Sequence, residues 1–249
     1  AGGIGTHFVL LTESSGVVIL SPPPFSFDLG GRALFFENRT DAGQKLAEVM
    51  VKSEKDFAGF EVVGIARGGV IVAQPIATAL GLPLQSMLVD DVALQNTKLT
   101  ATSLGNGLLY TFKVPAEEVG SKQVDLKPTW VEDVSQLELE GLEEFWTEFQ
   151  ERSQRYNNGP FRPGSKIILV DDGLVTGTTL RIAAQALYQH GVEEVVAAIP
   201  VVLPWIKTAK FDFELITWRV STMKRAATGM FYYNFEDTPD EEVTAATAA

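Results

Sequence analysis

Residues 167–179 read IILVDDGLVTGTT, and this stretch is the most informative about the fold class. Four apolar residues in succession are typical of a strand that is buried on both faces of a parallel sheet. Two carboxylates, Asp171 and Asp172, follow at the carboxyl end of that strand, which is the edge of an open α/β sheet where ligands bind. A short loop with glycine and threonine then leads into a helix. The stretch therefore predicts an α/β protein with a ligand site beside the two acids.

The segments on either side of this stretch predict a parallel sheet. Upstream, a strand over Glu61–Ile65, a helix over Val70–Leu80 that ends at Gly81 and a strand over Leu84–Val89 follow one another. Downstream, the helix Thr178–His190 is followed by the strand Val195–Val202. A strand–helix–strand order places the two strands parallel in one sheet. We therefore expect a central, mainly parallel sheet with helices on its faces.

Further elements are predicted around this core, from apolar spacing and from capping residues. One helix is predicted to follow a cap at Asn38 or Thr40, a second to cover Val134–Arg155, and a third to begin at Asp240 after a cap at Thr238. Strands are predicted over Leu108–Val114 and Phe213–Trp218.

The chain is expected to comprise an extension and one domain. Residues 1–31 form a β-rich extension, in which Phe8–Thr12 and Val17–Leu20 are predicted to pair as a hairpin. Residues 32–249 form the main domain. Within it, residues 90–160 are interpreted as an insertion, an irregular hood or lid followed by a helix, because long irregular segments in α/β domains often cover binding sites.

The composition indicates an acidic globular protein. The chain has 249 residues, of which 45% are hydrophobic and 21% charged, enough to bury a sizeable core. With 20 basic and 32 acidic residues the formal charge is −12, which argues against binding to a nucleic-acid backbone. There is no cysteine, so disulfides, thiolate nucleophiles and cysteine metal sites are excluded.

No apolar run is long enough to span a membrane, and no charged leader precedes an apolar run. The expected location is therefore the cytoplasm. The alternative is an organelle matrix or stroma after removal of a transit segment.

The loop after the strand has the features of a phosphate site. Gly177 allows close approach of the backbone, and the amides of Val175–Thr179 would be first-turn donors at the positive end of the helix. Thr176, Thr178 and Thr179 add three hydroxyl groups. Together these groups predict a site for a monophosphate.

The acids beside this loop need a different partner, because two carboxylates would repel a phosphate. Asp171 and Asp172 are suited to accept hydrogen bonds from two vicinal sugar hydroxyls, with Mg²⁺ nearby to offset charge. A phosphate next to a diol describes a ribose 5-phosphate. Two alternatives stay open: a phosphoacceptor pocket of the receiver type, and a plain strand–turn–helix in which the threonines only cap the helix.

Residues 170–179 resemble the phosphoribosyl-pyrophosphate signature of the type I phosphoribosyltransferases, an apolar strand followed by Asp-Asp and then Thr-Gly-x-Thr. The resemblance implies that Asp171 and Asp172 contact the ribose hydroxyls and are indirect ligands of Mg²⁺. It also implies that Val175–Thr179 form the loop that binds the 5′-phosphate.

A second anion site is expected at the end of another strand. Residues 64–69 read GIARGG, in which Arg67 offers a forked cation and Gly68 and Gly69 permit close backbone approach at a helix start. The resemblance implies that Arg67, Gly68 and Gly69 hold the pyrophosphate. Taken alone, an Arg-Gly-Gly triplet is more often only a turn.

Three further segments narrow the resemblance to a bacterial-type branch labelled only "putative phosphoribosyltransferase". They are residues 38–43, 66–70 and 231–235, the last followed by Asp240-Glu241-Glu242-Val243. The resemblance covers roughly residues 35–90 and 140–244.

Two departures from that branch concern charged residues. Asp90 and Asp91 stand where a basic pair is usual, and they would repel a pyrophosphate. We interpret them as a solvated turn, with a metal site as the alternative. Val175 stands where the 6-oxopurine enzymes carry a proton-accepting aspartate, so salvage of that type is disfavoured.

Other departures concern the surroundings of the site. Residues 95–112 show no obvious lid, although Lys98 is available. Phe231, Tyr232 and Tyr233 could stack on a base but are more often core residues. His7 and His190 are interpreted as structural.

The sequence thus favours an enzyme of nucleotide metabolism that transfers a phosphoribosyl group from phosphoribosyl pyrophosphate to an unidentified nitrogenous base. The alternative is a non-catalytic regulator, or a subunit of a larger assembly, that retains a ribose-phosphate site. A phosphatase acting on phosphorylated sugars is a weaker third hypothesis. The resemblance implies a homodimer.

Overall fold

The computed structural model describes residues 9–12, 17–21, 35–53, 55–93, 97–104, 109–115, 129–131, 143–156, 161–209 and 211–248. The strands are β1 (Val9–Thr12), β2 (Val17–Ser21), β3 (Phe60–Ala66), β4 (Leu84–Ala93), β5 (Thr97–Ser103), β6 (Leu109–Pro115), β7 (Thr129–Val131), β8 (Lys166–Val170), β9 (Glu194–Val202) and β10 (Glu214–Val220). The helices are α1 (Arg39–Lys52), α2 (Gly68–Leu80), α3 (Glu143–Arg155), α4 (Thr178–Gln189) and α5 (Asp240–Thr247).

The described strands form one sheet in the order β1-β2-β10-β9-β8-β3-β4-β5-β6-β7. The strands from β2 to β4 in this order all run parallel. Antiparallel pairs lie only at the two ends, with β1 at one and β5, β6 and β7 at the other. The predicted α/β fold with a mainly parallel sheet is confirmed.

The central strand β8 is buried on both faces, as its four apolar residues predict. Ile167 and Leu169 pack with α4 on one face of the sheet, whereas Ile168 and Val170 pack with α1 and α2 on the other. All four are completely buried. Since β8 and β3 are parallel neighbours, their carboxyl ends meet at the same edge of the sheet. This pairing places the two predicted anion loops side by side.

The residues that cap the helices agree with the prediction for α1 and α2 but not for α5. Asn38 caps α1 by accepting a hydrogen bond from the Asp41 nitrogen at 2.9 Å. Gly81 ends α2 in a left-handed conformation with φ of 65°. The prediction for α5 was wrong in detail: Pro239 is the capping residue, and no side chain caps that helix.

At the amino-terminal end, β1 and β2 pair antiparallel, as the predicted hairpin requires. The second of these strands continues the main sheet by pairing in parallel with β10. The division into an extension of residues 1–31 and a domain of residues 32–249 stays a prediction, because residues 22–34 lie outside the described residues.

The region 90–160 contains more regular structure than the sequence suggested. Its described part holds β5, β6 and β7, which extend the sheet, and α3, whose buried Phe149 packs with Phe145 and Trp146. Residues 94–96, 105–108, 116–128, 132–142 and 157–160 lie outside the described residues, so the predicted start of this helix at Val134 is not tested. The interpretation of Asp90 and Asp91 as a turn was wrong, because both lie within β4.

Candidate functional site

The loops after β3 and β8 are in contact at the carboxyl edge of the sheet. A Cβ atom at Gly68 would lie 2.5 Å from the Arg39 Nε and even closer to the Asp172 carboxylate. A Cβ atom at Gly69 would lie 2.6 Å from the Val170 carbonyl oxygen. At Gly69 the neighbours are backbone atoms, so only glycine permits this approach, whereas at Gly68 the Arg39 and Asp172 side chains would have to move. The structure therefore brings the Arg-Gly-Gly segment and the acidic pair together.

The two acids lie in a crowded and partly exposed position. Asp171 Oδ1 accepts a hydrogen bond from the Asp172 nitrogen at 2.9 Å. Burial raises the pKa of Asp171 well above its usual value, and the neighbouring Asp172 carboxylate raises it further. Burial also raises the pKa of Asp172, although the Arg39 guanidinium acts in the opposite direction. Two carboxyl groups held this way can accept hydrogen bonds from a diol, and Asp171 can also hold a proton.

Arg39, at the start of α1, fixes one of these acids. Its Nε donates to Asp172 Oδ2 at 2.9 Å, and its Nη1 donates to the Glu236 carbonyl at 2.6 Å. The guanidinium also lies 3.9 Å from the centre of the Phe235 ring. The Tyr232 hydroxyl donates to the backbone carbonyl of Asp172 at 2.5 Å. The carboxyl-terminal segment thus packs against the acidic pair.

The predicted phosphate loop is anchored to its surroundings at two points. The Leu174 nitrogen donates to the Val201 carbonyl at 3.1 Å, and Trp205 Nε1 donates to the Val175 carbonyl at 2.9 Å. Gly177 precedes α4 with φ of 79°, a conformation that favours glycine. A Cβ at this position would also lie 3.2 Å from the Trp205 ring. The loop is therefore shaped by a glycine and by a tryptophan that packs against it.

The three threonines of this loop differ in their exposure to solvent. Thr176 and Thr179 are partly exposed, whereas Thr178 is buried with 8% of its surface exposed. Thr176 Oγ1 lies 3.4 Å from the Thr178 nitrogen, near the limit of a hydrogen bond. Helix α4 begins directly after this loop, and amides without intrahelical partners at a helix start are the donors that anion sites commonly use.

Arg67 lies directly before α2, and the peptide bond between Ala66 and Arg67 is cis. Its side chain is 40% exposed, and its Nη1 lies 4.0 Å from Asp240 Oδ1. An exposed guanidinium at a helix start, next to two glycines, provides the forked donors that a phosphate needs.

Asp90, the suspected source of repulsion, has a cationic partner. The Arg152 Nη1 donates to Asp90 Oδ2 at 2.5 Å. The charge of Asp90 is therefore balanced inside the protein. As for the alternative metal site, no cluster of three or more His, Cys, Asp or Glu side chains suited to a metal is found in the part of the chain that the structure describes.

The aromatic and histidine residues fit their structural interpretations. Phe231 and Tyr232 are buried in a core cluster, and only Tyr233 is exposed, at 69%. His190 ends α4, and its Nε2 lies 2.7 Å from the Phe161 carbonyl oxygen. His7 and the side chain of Lys98 lie outside the described residues.

Asp171→Asn is expected to increase the free energy of unfolding near neutral pH. The raised pKa of Asp171 means that the folded chain holds this proton more tightly than the unfolded chain. The stability contribution of Asp171 therefore falls as the pH rises from the ordinary carboxyl value of about 3.9 through the raised folded value. Urea unfolding at about pH 4 and about pH 7 should show that the wild type loses more stability than the variant across this interval. Equal losses in the two proteins would contradict the expectation.

The mainly parallel sheet, with two glycine-containing loops and an acidic pair at its carboxyl edge, has the features of the type I phosphoribosyltransferase fold. The sequence profile of the phosphoribosyl transferase domain matches residues 37–210. The chain therefore belongs to the phosphoribosyl transferase domain family.

Two similar proteins come from strains of Mycobacterium tuberculosis, and both are named "putative phosphoribosyl transferase". Each is 29% identical over 216 residues, a match that covers 84% of this chain and 46% of the relative. The chain thus spans about half the length of these relatives. A solved structure, TT1426 from Thermus thermophilus, is 24% identical with a TM-score of 0.54, and the match covers 86% of this chain and 98% of that one. This likeness supports the fold.

Among the described residues, no helix combines the length and the apolar character that crossing a bilayer requires.

Proposed function

We propose that this chain binds phosphoribosyl pyrophosphate and transfers its phosphoribosyl group to a nitrogenous base. The observation that carries the proposal is the contact between the loop at Gly68 and the carboxylate of Asp172. A ligand spanning this contact would place a ribose against the acids, a 5′-phosphate against the start of α4 and a pyrophosphate against the start of α2. Phosphoribosyl pyrophosphate has these three groups in a matching arrangement, with the ribose between the two phosphate groups.

In the proposed reaction, the bond between C1 of the ribose and the pyrophosphate oxygen breaks, and a bond from C1 to a nitrogen of the base forms. The nitrogen gives up its proton to the departing pyrophosphate, which leaves with the electrons of the broken bond. Positive charge develops on the ribose ring, close to Asp171 and Asp172. The chain would act by positioning the reactants and by stabilising charge, without a covalent nucleophile.

Mg²⁺ fits this arrangement as an ion carried largely by the substrate. Mg²⁺ commonly binds one or two carboxylates together with water and substrate phosphates. The donor set here is of that kind, since Asp171 and Asp172 are two carboxyl groups that precede one predicted loop and lie beside Gly68 and Gly69 of the other. When bound, the ion would neutralise charge on the pyrophosphate, and Asp171 and Asp172 would hold it indirectly.

The acceptor base is constrained at one position. Val175 offers an apolar side chain, and its carbonyl oxygen is engaged by Trp205. A side chain without a titratable proton cannot exchange one with a base. We therefore infer that the acceptor is not a 6-oxopurine that exchanges a proton with an aspartate at this position.

The second candidate is a non-catalytic protein that binds a ribose phosphate, as a regulator or as a subunit of a larger assembly. Asp90 and Asp91 favour it, since acids replace the expected basic pair. The pairing of Asp90 with Arg152 reduces the force of that argument, so we place the enzyme first. The homodimer, the cytoplasmic location and the absence of nucleic-acid binding stay predictions.

Calorimetric titration with phosphoribosyl pyrophosphate, with and without Mg²⁺, tests the proposal. We expect binding that Mg²⁺ strengthens, followed by release of pyrophosphate when a suitable base is added from a panel. Binding without release for every base would favour the regulator. If neither phosphoribosyl pyrophosphate nor ribose 5-phosphate binds, both candidates are wrong.

A further inference from the structure

Asp240, in the first turn of α5, is the meeting point of three side chains from other segments. Its Oδ2 accepts a hydrogen bond from Arg155 Nη1 at 2.7 Å, and its Oδ1 accepts one from the Tyr156 hydroxyl at 2.5 Å. The third neighbour is Arg67, whose Nη1 lies 4.0 Å from Oδ1. The carboxylate side chain is only 17% exposed. Asp240 thus links α3, α5 and the loop that precedes α2.

The contact with Arg67 differs in kind from the other two. A distance of 4.0 Å is an ion pair without a hydrogen bond. Arg155 and Tyr156 both hold Asp240 at hydrogen-bonding distance, so the carboxylate keeps its place if Arg67 moves. Arg67, at 40% exposure, can instead turn toward an anion in solution. Arg67 is therefore shared between an internal carboxylate and any anion at the start of α2.

We propose that Asp240 is a positioning residue that sets the anion affinity of Arg67. Resting on the proposed function, the inference is that the Asp240 carboxylate competes with pyrophosphate for the Arg67 guanidinium. While no anion is bound, the Asp240 carboxylate would hold the Arg67 side chain at the edge of the site. After the reaction, the carboxylate would attract Arg67 again and so favour the departure of pyrophosphate. The site would then bind pyrophosphate more weakly than it would if Arg67 had no carboxylate neighbour.

The expected size of the effect follows from the exposure of Arg67. Ion pairs at this degree of exposure are screened by water and are weak, so removing the Asp240 charge should change the affinity for an anion about two- to fivefold. Added salt should reduce this change, because a partly exposed pair is screened further.

The test is titration of the full chain with inorganic pyrophosphate and with phosphoribosyl pyrophosphate. Asp240→Asn should bind both about two- to fivefold more tightly than the wild type, while Asp240→Glu, which restores the charge, should bind as the wild type does. Glu241→Gln is the matched control. It removes the same charge from the same helical turn at an exposed residue and should leave the affinity unchanged. In an Arg67→Gln background, Asp240→Asn should have no effect.

A merely structural role for Asp240 would weaken binding on substitution rather than strengthen it. Unchanged or weaker binding by Asp240→Asn overturns the inference, and so does tightening that persists without Arg67 or that Glu241→Gln reproduces.

If Asp240→Asn does not fold, Arg155→Gln replaces it. This variant removes a competing cation from Asp240 and should weaken binding only when Arg67 is present. A wild type that binds neither ligand overturns the proposed function together with the inference. A wild type that binds, with unchanged variants, overturns the inference alone.

Discussion

Replacing both Asp171 and Asp172 with asparagine is expected to weaken the binding of phosphoribosyl pyrophosphate by roughly a hundredfold or more. Hydrogen bonds to charged acceptors are worth about 1.5–3 kcal/mol each, and the double variant loses the charge of both. The change also removes the ion pair that orients position 172 through Arg39. Calorimetric titration in the presence of Mg²⁺ measures the loss directly.

A matched double variant separates local from global charge effects. Glu193 and Asp212 are exposed acids that precede β9 and β10, at the opposite edge of the sheet. Glu193→Gln with Asp212→Asn removes the same total charge and should bind as the wild type does. If the affinity of the Asp171 and Asp172 double variant stays within a few fold of the wild type, the ribose assignment is wrong. The Asp171 change is expected to stabilise the fold, so unfolding of the double variant is not the expected cause of weaker binding.

Gly69→Ala is expected to destabilise the chain by about 1–3 kcal/mol and to abolish ligand binding. The added Cβ would lie 2.6 Å from the Val170 carbonyl oxygen and 3.0 Å from the Asp171 Cα. Both are backbone atoms, so no side-chain rotation relieves the overlap. The loop before α2 would have to move away from the acidic pair. Urea unfolding measures the loss of stability, and titration measures the loss of binding.

Gly59→Ala is the control for this experiment. Gly59 has φ of 80°, and a Cβ atom added there would have no neighbour within 4 Å, so alanine is strained without a collision. A cost of about 1 kcal/mol is expected from the left-handed conformation, with unchanged affinity. If Gly69→Ala binds the ligand as tightly as Gly59→Ala does, the contact between the two loops is not required for the site.

The parts of the fold that could be predicted are those that local patterns determine. The apolar run of β8 predicted a central strand because both faces of a parallel sheet are covered, and Ile167–Val170 are indeed fully buried. Asn38 and Gly81 marked the ends of helices, because the first caps with its side chain and the second adopts a left-handed conformation. Gly177 was predictable for the same reason, because the backbone before α4 adopts a left-handed conformation that favours glycine.

The unpredicted residues act across long sequence distances. Arg39 is 133 positions from Asp172, Tyr232 is 60 positions away from it, and Trp205 reaches Val175 across 30 positions. No periodicity in one sequence encodes such pairs. Arg39 and Tyr232 did fall within segments that resembled the family, and that resemblance was the one signal pointing to them.

The error at Asp90 and Asp91 has a physical reason. Aspartate is depleted in strands, so two in succession predict the end of a strand. In the structure β4 continues through them because β5 pairs with it, with Asp90 opposite Ala101. Arg152, from α3, then balances the charge of Asp90. Both compensations come from outside the strand, so local propensity alone gave the wrong boundary.

The site combines features that favour binding over stability. Asp171 is held where its charged form is disfavoured, next to a second acid and beside a loop that glycine alone permits. Such an arrangement is expected where a ligand supplies the missing partners. Binding of a sugar diol or of a cation carried by the substrate would supply them here.

A crystal structure of the chain with ribose 5-phosphate and Mg²⁺ would show directly whether the loop after β8 holds a phosphate. We expect phosphate oxygens about 3 Å from the amide nitrogens of the loop Val175–Thr179. We also expect the two ribose hydroxyls to face Asp171 and Asp172. A sugar phosphate bound elsewhere, with this loop empty at saturating ligand, would contradict the proposed site.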